Sequence, residues 1–320
     1  MQDIMREIYL NGIVPAVKIK DAEKAVPVAK AIARGGVSII EITFRSDAAA
    51  EAIARISKEC PDMLVGAGTI LTREQVDAAV AAGAKFIVAP GFNPDTVKYC
   101  VEKNIPIIPG CSSCGEMEQA ISLGIGTVKF FPAEAMGGVA YLKSVSGPYR
   151  YLKFMPTGGI DAKNINNYLA LPCVSACGGS FMAKEALIDA CDYDAVERLT
   201  AEAVRAMLGL EIRHIGINCN GDGEAAGVAD LLCRFFDVEA DDRGGAIFAG
   251  TLFEVLKSPF RGEKGHVAIA TNSPDRARAH LEKLGFEFDE STASYQPDGR
   301  LKVVYTKSDI GGFAFHLIQK

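Results

Sequence analysis

Nowhere in its 320 residues does the chain carry the roughly 18 consecutive apolar residues that a membrane-spanning helix needs. It has no excess of positive charge either. Its 34 Lys and Arg stand against 40 Asp and Glu, a net charge of −6, which argues against nucleic acid or an acidic membrane as a partner. The first residues, Met1-Gln2-Asp3-Ile4-Met5-Arg6-Glu7, include acidic groups and no long apolar core, so no signal peptide is expected. Cysteines are odd in number, nine, and lie mostly within apolar segments, which suits reduced, buried thiols in the cytoplasm. Cys111 and Cys114 form a C-x-x-C pair, but no second pair is spaced like a zinc partner; they read as small residues in a tight turn. Histidine is scarce: four in all, every one beyond residue 213.

What is present is ample apolar material, 49 % of residues against 23 % charged, enough for one large and one small domain with proper cores. Eight short apolar runs, at 13–19, 38–44, 64–69, 86–90, 105–110, 127–132, 151–156 and 173–177, alternate with helical patterns. Most are too continuously apolar for half-exposed strands, as expected of a parallel sheet covered on both faces. Helices are expected over 22–35 after Asp21 and over 73–82 after Thr72, with Asn93-Pro94 and Asp161 opening two more. A closing helix is expected over 195–208. Eight strand–helix units in about 200 residues predict an α/β fold, a compact (β/α)8 TIM barrel. The pattern then changes. Residues 212–320 make two passes of strand, helix and further strands, a repeat of about 52 residues whose passes begin at the strands containing His214 and His266. The domains are therefore drawn at 1–209 and 212–320, the second smaller and α+β.

Lys129 is the residue that points to chemistry. It sits inside Thr127-Val128-Lys129-Phe130-Phe131-Pro132. A lysine there is costly to bury as a cation, and desolvation favours the neutral amine, which can attack a carbonyl and form a Schiff base. The other polar residues at barrel strand ends form a coherent set around it. The second strand supplies Glu41 and ends at Arg45; four residues apart on one strand, their side chains are expected on one face. Glu41 would shuttle protons near the lysine, and Arg45 would hold a carboxylate through its bidentate fork. The third strand ends at Thr69 and the fourth at Pro90-Gly91. The seventh ends Thr157-Gly158-Gly159 and the eighth Gly179-Ser180, glycine turns whose backbone N–H groups, with a following helix N-terminus, would receive a phosphate.

Glu-Ile-Thr-Phe-Arg, Gly-Ala-Gly-Thr, Lys-Phe-Phe-Pro-Ala-Glu, Pro-Thr-Gly-Gly-Ile and Gly-Gly-Ser occur in order, and over residues 1 to about 207 the chain resembles the class I aldolases acting on 2-keto-3-deoxy-6-phosphogluconate (KDPG) and 4-hydroxy-2-oxoglutarate. The resemblance implies a Schiff base between Lys129 and the pyruvate portion of a 2-keto acid substrate, and proton transfer by Glu41. It further implies that Arg45 and Thr69 hold the carboxylate, that Phe131 and Pro90 shape the pocket, and that Gly158, Gly159, Gly179 and Ser180 bind phosphate. It also implies no cofactor for the aldol reaction and a homotrimer. The chain departs from the family at Phe181, where Trp is common, and at Cys111-Ser112-Ser113-Cys114. A phosphosugar isomerase-like barrel and a non-catalytic phosphate-binding barrel are the alternatives.

Residues 212–320 resemble the vicinal-oxygen-chelate (glyoxalase-like) family of paired βαβββ modules, most typically in His266-Val267-Ala268-Ile269-Ala270 through Leu281-Glu282-Lys283-Leu284-Gly285-Phe286. That resemblance places a divalent metal on His214, Glu254, His266 and His316. Mixed imidazole and carboxylate ligands suit zinc, nickel, iron or manganese. Helical His280 is expected at the surface.

Overall fold

The computed structural model describes residues 2–320, which pack as two units, residues up to 207 and residues 208–320. Among these described residues no helix is long and apolar enough to cross a membrane.

The first unit is α/β. Its strands are β1 (Ile13–Val17), β2 (Ile39–Thr43), β3 (Leu64–Gly68), β4 (Phe86–Val88), β5 (Ile107–Ile108), β6 (Thr127–Phe130), β7 (Lys153–Pro156) and β8 (Cys177–Gly179). Six of them form a parallel sheet in the order β5-β4-β3-β2-β1-β8, and β6 pairs with β7 in a second parallel ladder. Single bridges Gly110↔Lys129 and Thr157↔Gly178 join the two ladders. All five β2 residues are buried, as the two-sided cover of a parallel sheet requires.

The helix starts follow side-chain capping. Thr72 accepts from Gln75 N, Asn93 from Asp95 N ahead of Pro94, and Ser113 with Glu116 closes a reciprocal capping box. Ser113 thereby explains the turn between Cys111 and Cys114, both of which are free thiols. The expected 22–35 helix divides: Asp21 caps a 3-10 turn, Ala22–Lys24, and an α-helix, Ala25–Arg34, follows. Pro27 falls in the first turn of that second piece, where its missing N–H is no loss. Asp161 does not open a helix. Its Oδ1 accepts from Lys163 N and Asn164 N in a local turn, and the helix is the short Ile165–Leu169. The eighth run is also displaced. The 173–176 stretch bridges to β7 through Phe154↔Val174, and the pairing with β1 falls to Cys177–Gly179.

The second unit contains β9 (Glu211–Asn218), β10 (Ala240–Asp242), β11 (Ala246–Ala249), β12 (Phe253–Leu256), β13 (Gly265–Thr271), β14 (Phe288–Tyr295), β15 (Leu301–Thr306) and β16 (Phe313–Gln319). They form one sheet, β10-β11-β12-β9-β13-β16-β15-β14. Its halves mirror one another: β9 and β13 pair antiparallel at the centre, with β12 parallel to β9 and β16 parallel to β13. Each half runs strand, helix, three strands, the helices being Asp222–Phe236 and Pro274–Lys283. The first helix packs Ala225 and Ala229 onto Ile247, Val255 and Cys219.

Candidate active site and histidine cluster

Strands β2 and β6 bring Glu41 and Lys129 together. Lys129 Nζ lies 3.5 Å from Glu41 Oε1, with side-chain exposures of 7 % and 1 %. Both Glu41 oxygens are buried and, among the described residues, have no hydrogen-bond partner. A carboxylate this dry and this close to an amine is placed to pass protons to and from chemistry at that nitrogen. Room for it comes from the next strand. β2 and β3 pair in register Thr43↔Gly68, and a Cβ at Gly68 would stand 1.9 Å from Glu41 Oε1. The backbone of Lys129 is fixed by its N–H to Pro109 O and by Cys111 N to its carbonyl, each at 2.8 Å. Burial pushes the Cys111 thiol up to about 12, so it stays protonated beside the strand.

Around this pair stand the other expected residues. The Phe131 ring centroid lies 5.6 Å from Lys129 Nζ, and the ring is partly exposed. Thr69, immediately after β3, has φ of 59°, an uncommon conformation for a non-glycine residue and one that concentrates at functional sites. Pro90 follows β4 and is half-buried. Thr157 is buried at the end of β7, and Gly158 and Gly159 take φ of 100° and 77°. Gly179 ends β8 with Ser180 exposed beside it.

Two expectations need correction. Arg45 does not share the strand with Glu41: β2 ends at Thr43, Arg45 N turns back onto Thr43 O, and the exposed guanidinium has Nε 3.4 Å from Thr43 Oγ1. Strand alternation therefore says nothing about its direction. The helices after β7 and β8 begin only at Ile165 and Glu185 and have five residues each, so the expected helix N-terminus does not directly follow either glycine turn.

The second unit gathers three of the four histidines. One nitrogen each from His214, His266 and His316 lie within 4.8 Å of one another. Glu254 Oε2 is 3.1 Å from His214 Nε2 and 3.2 Å from His266 Nε2. Hydrogen bonds from those two imidazoles hold the Glu254 carboxyl down at about 2, while burial, then the neighbouring His266 and His214, keeps His316 neutral by lowering it to about 3. His280 lies in the helix Pro274–Lys283 and is partly buried rather than fully exposed. Three supports were not visible in the sequence: Tyr305, stacked on His316 at 4.4 Å; Gly216, where a Cβ would stand 2.1 Å from the His266 ring; and, in the first unit, Tyr168, whose hydroxyl donates to Glu134. Only Glu134 had a signal, as the last residue of the Lys-Phe-Phe-Pro-Ala-Glu run.

The family model "KDPG and KHG aldolase" matches residues 2–199. The chain belongs to the KDPG and KHG aldolase family. Its first unit is an aldolase, a carbon–carbon lyase. The 2-dehydro-3-deoxy-phosphogluconate aldolase of Treponema pallidum (strain Nichols) is 48 % identical over 193 residues, 60 % of this chain and 92 % of that protein. The KHG/KDPG aldolase of Escherichia coli (strain K12) is 43 % identical over 192 residues, 60 % of this chain and 90 % of that one. Among solved structures, the KDPG aldolase of Legionella pneumophila, with pyruvate captured as a covalent carbinolamine, superposes with a TM-score of 0.61 at 36 % identity, covering 62 % of this chain and 97 % of its own. The family match ends before the second unit begins.

In this aldolase the clearance at Gly68 is open to test. Gly68→Ala places a methyl group against Glu41 and is expected to lower kcat by more than tenfold (over about 1.4 kcal/mol) with the protein still folded by circular dichroism. Unchanged kcat would show that Glu41 has freedom to move aside.

Proposed function

We propose that residues 1–209 form a (β/α)8 barrel cleaving KDPG to pyruvate and glyceraldehyde 3-phosphate, 4-hydroxy-2-oxoglutarate to pyruvate and glyoxylate, or both, through a Schiff base on Lys129. The observation that carries this reading is the buried amine of Lys129 at 3.5 Å from the buried Glu41 carboxylate. The neutral amine adds to the C2 ketone, and loss of water gives the iminium. The C3–C4 bond then breaks, its electron pair moving into the iminium to leave an enamine, while Glu41 takes the C4 hydroxyl proton and the aldehyde is released. Glu41 returns a proton to C3, and water hydrolyses the resulting iminium to pyruvate and free lysine. Arg45 and Thr69 hold the carboxylate, Pro90 and Phe131 bound the pocket, and Thr157, Gly158, Gly159, Gly179 and Ser180 receive the phosphate. A homotrimer in the cytoplasm is part of the same reading; nine cysteines held as reduced thiols fit that compartment.

Incubation with pyruvate followed by borohydride should reduce a covalent adduct onto the peptide containing Lys129, and Lys129→Met should abolish turnover. An adduct elsewhere, or cleavage that needs a divalent metal, rules the mechanism out. Ser180→Ala removes a hydrogen bond to a charged group, roughly 1.5–3 kcal/mol. Its KM should rise for KDPG far more than for unphosphorylated 4-hydroxy-2-oxoglutarate; equal losses would make Ser180 structural.

We further propose that residues 212–320 are a vicinal-oxygen-chelate domain whose His214, Glu254, His266 and His316 hold a divalent metal. The donor set fits such an ion. Four ligand groups converge, and His316 has both ring nitrogens buried without a hydrogen-bond partner among the described residues, as has His266 at Nδ1. Zinc, nickel, iron or manganese would act there as a Lewis acid on ligand oxygens. Purified protein is expected to carry near-stoichiometric metal at pH 7 and to lose it to a strong chelator. The His214→Ala/His266→Ala double variant should lose the metal and keep aldolase activity. Protein that binds none of the four ions would leave this unit as a structural or ligand-binding appendage.

A further inference from the structure

Glu134 takes no part in the chemistry above, yet it is built into both segments that flank the proposed phosphate turn. It begins the short turn Glu134–Met136 just beyond Phe131-Pro132. Its backbone N–H donates to Gly158 O at 3.2 Å, and the preceding Ala133 N–H donates to Thr157 O at 2.8 Å. Its side chain crosses directly over Gly159, where a Cβ would stand 2.6 Å from Glu134 Cγ. Beyond the glycine, the Tyr168 hydroxyl donates to Glu134 Oε1.

Tyr168 is fully buried in the helix Ile165–Leu169, so its ring cannot follow a moving partner. Burial foremost, and then the bond to Glu134, push its phenol well above the usual range, which makes it a permanent donor at neutral pH. Gly138 leaves space for this contact: a Cβ there would meet the Tyr168 hydroxyl at 2.9 Å and Glu134 Oε1 at 3.4 Å. Glu134 thereby links the segment after β6 to the turn after β7 through its backbone N–H, and to the helix behind that turn through its carboxylate. Freed from Tyr168, the same carboxylate would be an anion beside glycine N–H groups that a phosphate needs, and would compete for them.

We infer that Glu134 and Tyr168 are positioning residues that brace the Gly158-Gly159 turn and keep it open to the phosphate of the substrate, and so set the preference for a phosphorylated over an unphosphorylated aldol. The inference rests on the phosphate-turn reading given under the proposed function.

Steady-state kinetics with KDPG and with 4-hydroxy-2-oxoglutarate test it in Tyr168→Phe, Glu134→Ala, Glu134→Gln and, as a reference, Ser180→Ala. Loss of one hydrogen bond to a charged group should raise the KM for KDPG roughly tenfold in Tyr168→Phe and Glu134→Ala. The KM for 4-hydroxy-2-oxoglutarate and both kcat values should stay within about twofold, since no interaction made only in the transition state is removed. Glu134→Gln keeps an acceptor for the tyrosine and should restore the KDPG KM to within about twofold of the parent protein. Equal rises on both substrates, no rise on either, or a glutamine variant as impaired as the alanine one overturns the brace. If Ser180→Ala discriminates between the substrates and Tyr168→Phe does not, the brace alone falls. If Ser180→Ala fails to discriminate, the phosphate turn falls and the brace with it.

Discussion

The first unit is organised around one buried contact, the amine of Lys129 against the carboxylate of Glu41. Such pairs are poor stabilisers: desolvation offsets their attraction, and a well-packed apolar pair of similar volume often does as well or better. Removing one partner is nevertheless expensive, typically about 3–5 kcal/mol, because it strands the other. A chain that keeps both groups is therefore constrained around them. Strand β2 must be buried throughout to hold Glu41 dry, and the backbone of Lys129 is pinned by hydrogen bonds on both sides. These features gain little for stability. They make sense as the cost of keeping an amine and a carboxyl group together out of water.

Much of this was legible in the sequence. Strands buried on both faces read as unbroken apolar runs, and the first seven runs of the first unit correspond to β1–β7, with a lysine conspicuous in the sixth. The ends of elements were less legible, because local hydrogen bonds decide them. Arg45 looked continuous with its strand, but Thr43 O captures its N–H and turns the chain. Asp161 looked like a helix cap, but Lys163 and Asn164 bond to it two and three residues on and spend the side chain in a turn. The apolar run at 173–177 suggested a strand over its own length. The ladder with β1 instead begins at its last residue, where glycines let the chain pass close to Thr157.

In the second unit the repeat of His214 and His266 carried the organisation, since two strands with one pattern predict two halves with one topology. The sheet bears this out in its order, with β9 and β13 adjacent at the centre. That adjacency sets the two histidines side by side, His266 facing Gly216 and Ala268 facing His214 across the ladder. Glu254 enters through the register of β12 with β9, and His316 through that of β16 with β13. Four residues spread over about a hundred positions thus meet on one face by strand pairing alone. The register could not be read from composition, and neither could the stacking of Tyr305 on His316.

Both sites also depend on atoms that are missing. Glycine was read along the chain as a sign of turns and of backbone offered to an anion, and at Gly158 the positive φ does turn the chain. Gly68 and Gly216 lie within or beside ladders and serve otherwise: each removes a Cβ that would collide with a buried side chain on the neighbouring strand, Glu41 in one case and His266 in the other. A lysine in an apolar run announces itself because the residue is costly where it stands. A glycine opposite a carboxylate announces nothing until the strand register is known. The lysine, the carboxylate and the histidines were therefore singled out from the sequence, and the space around them was found only from the pairing of the strands.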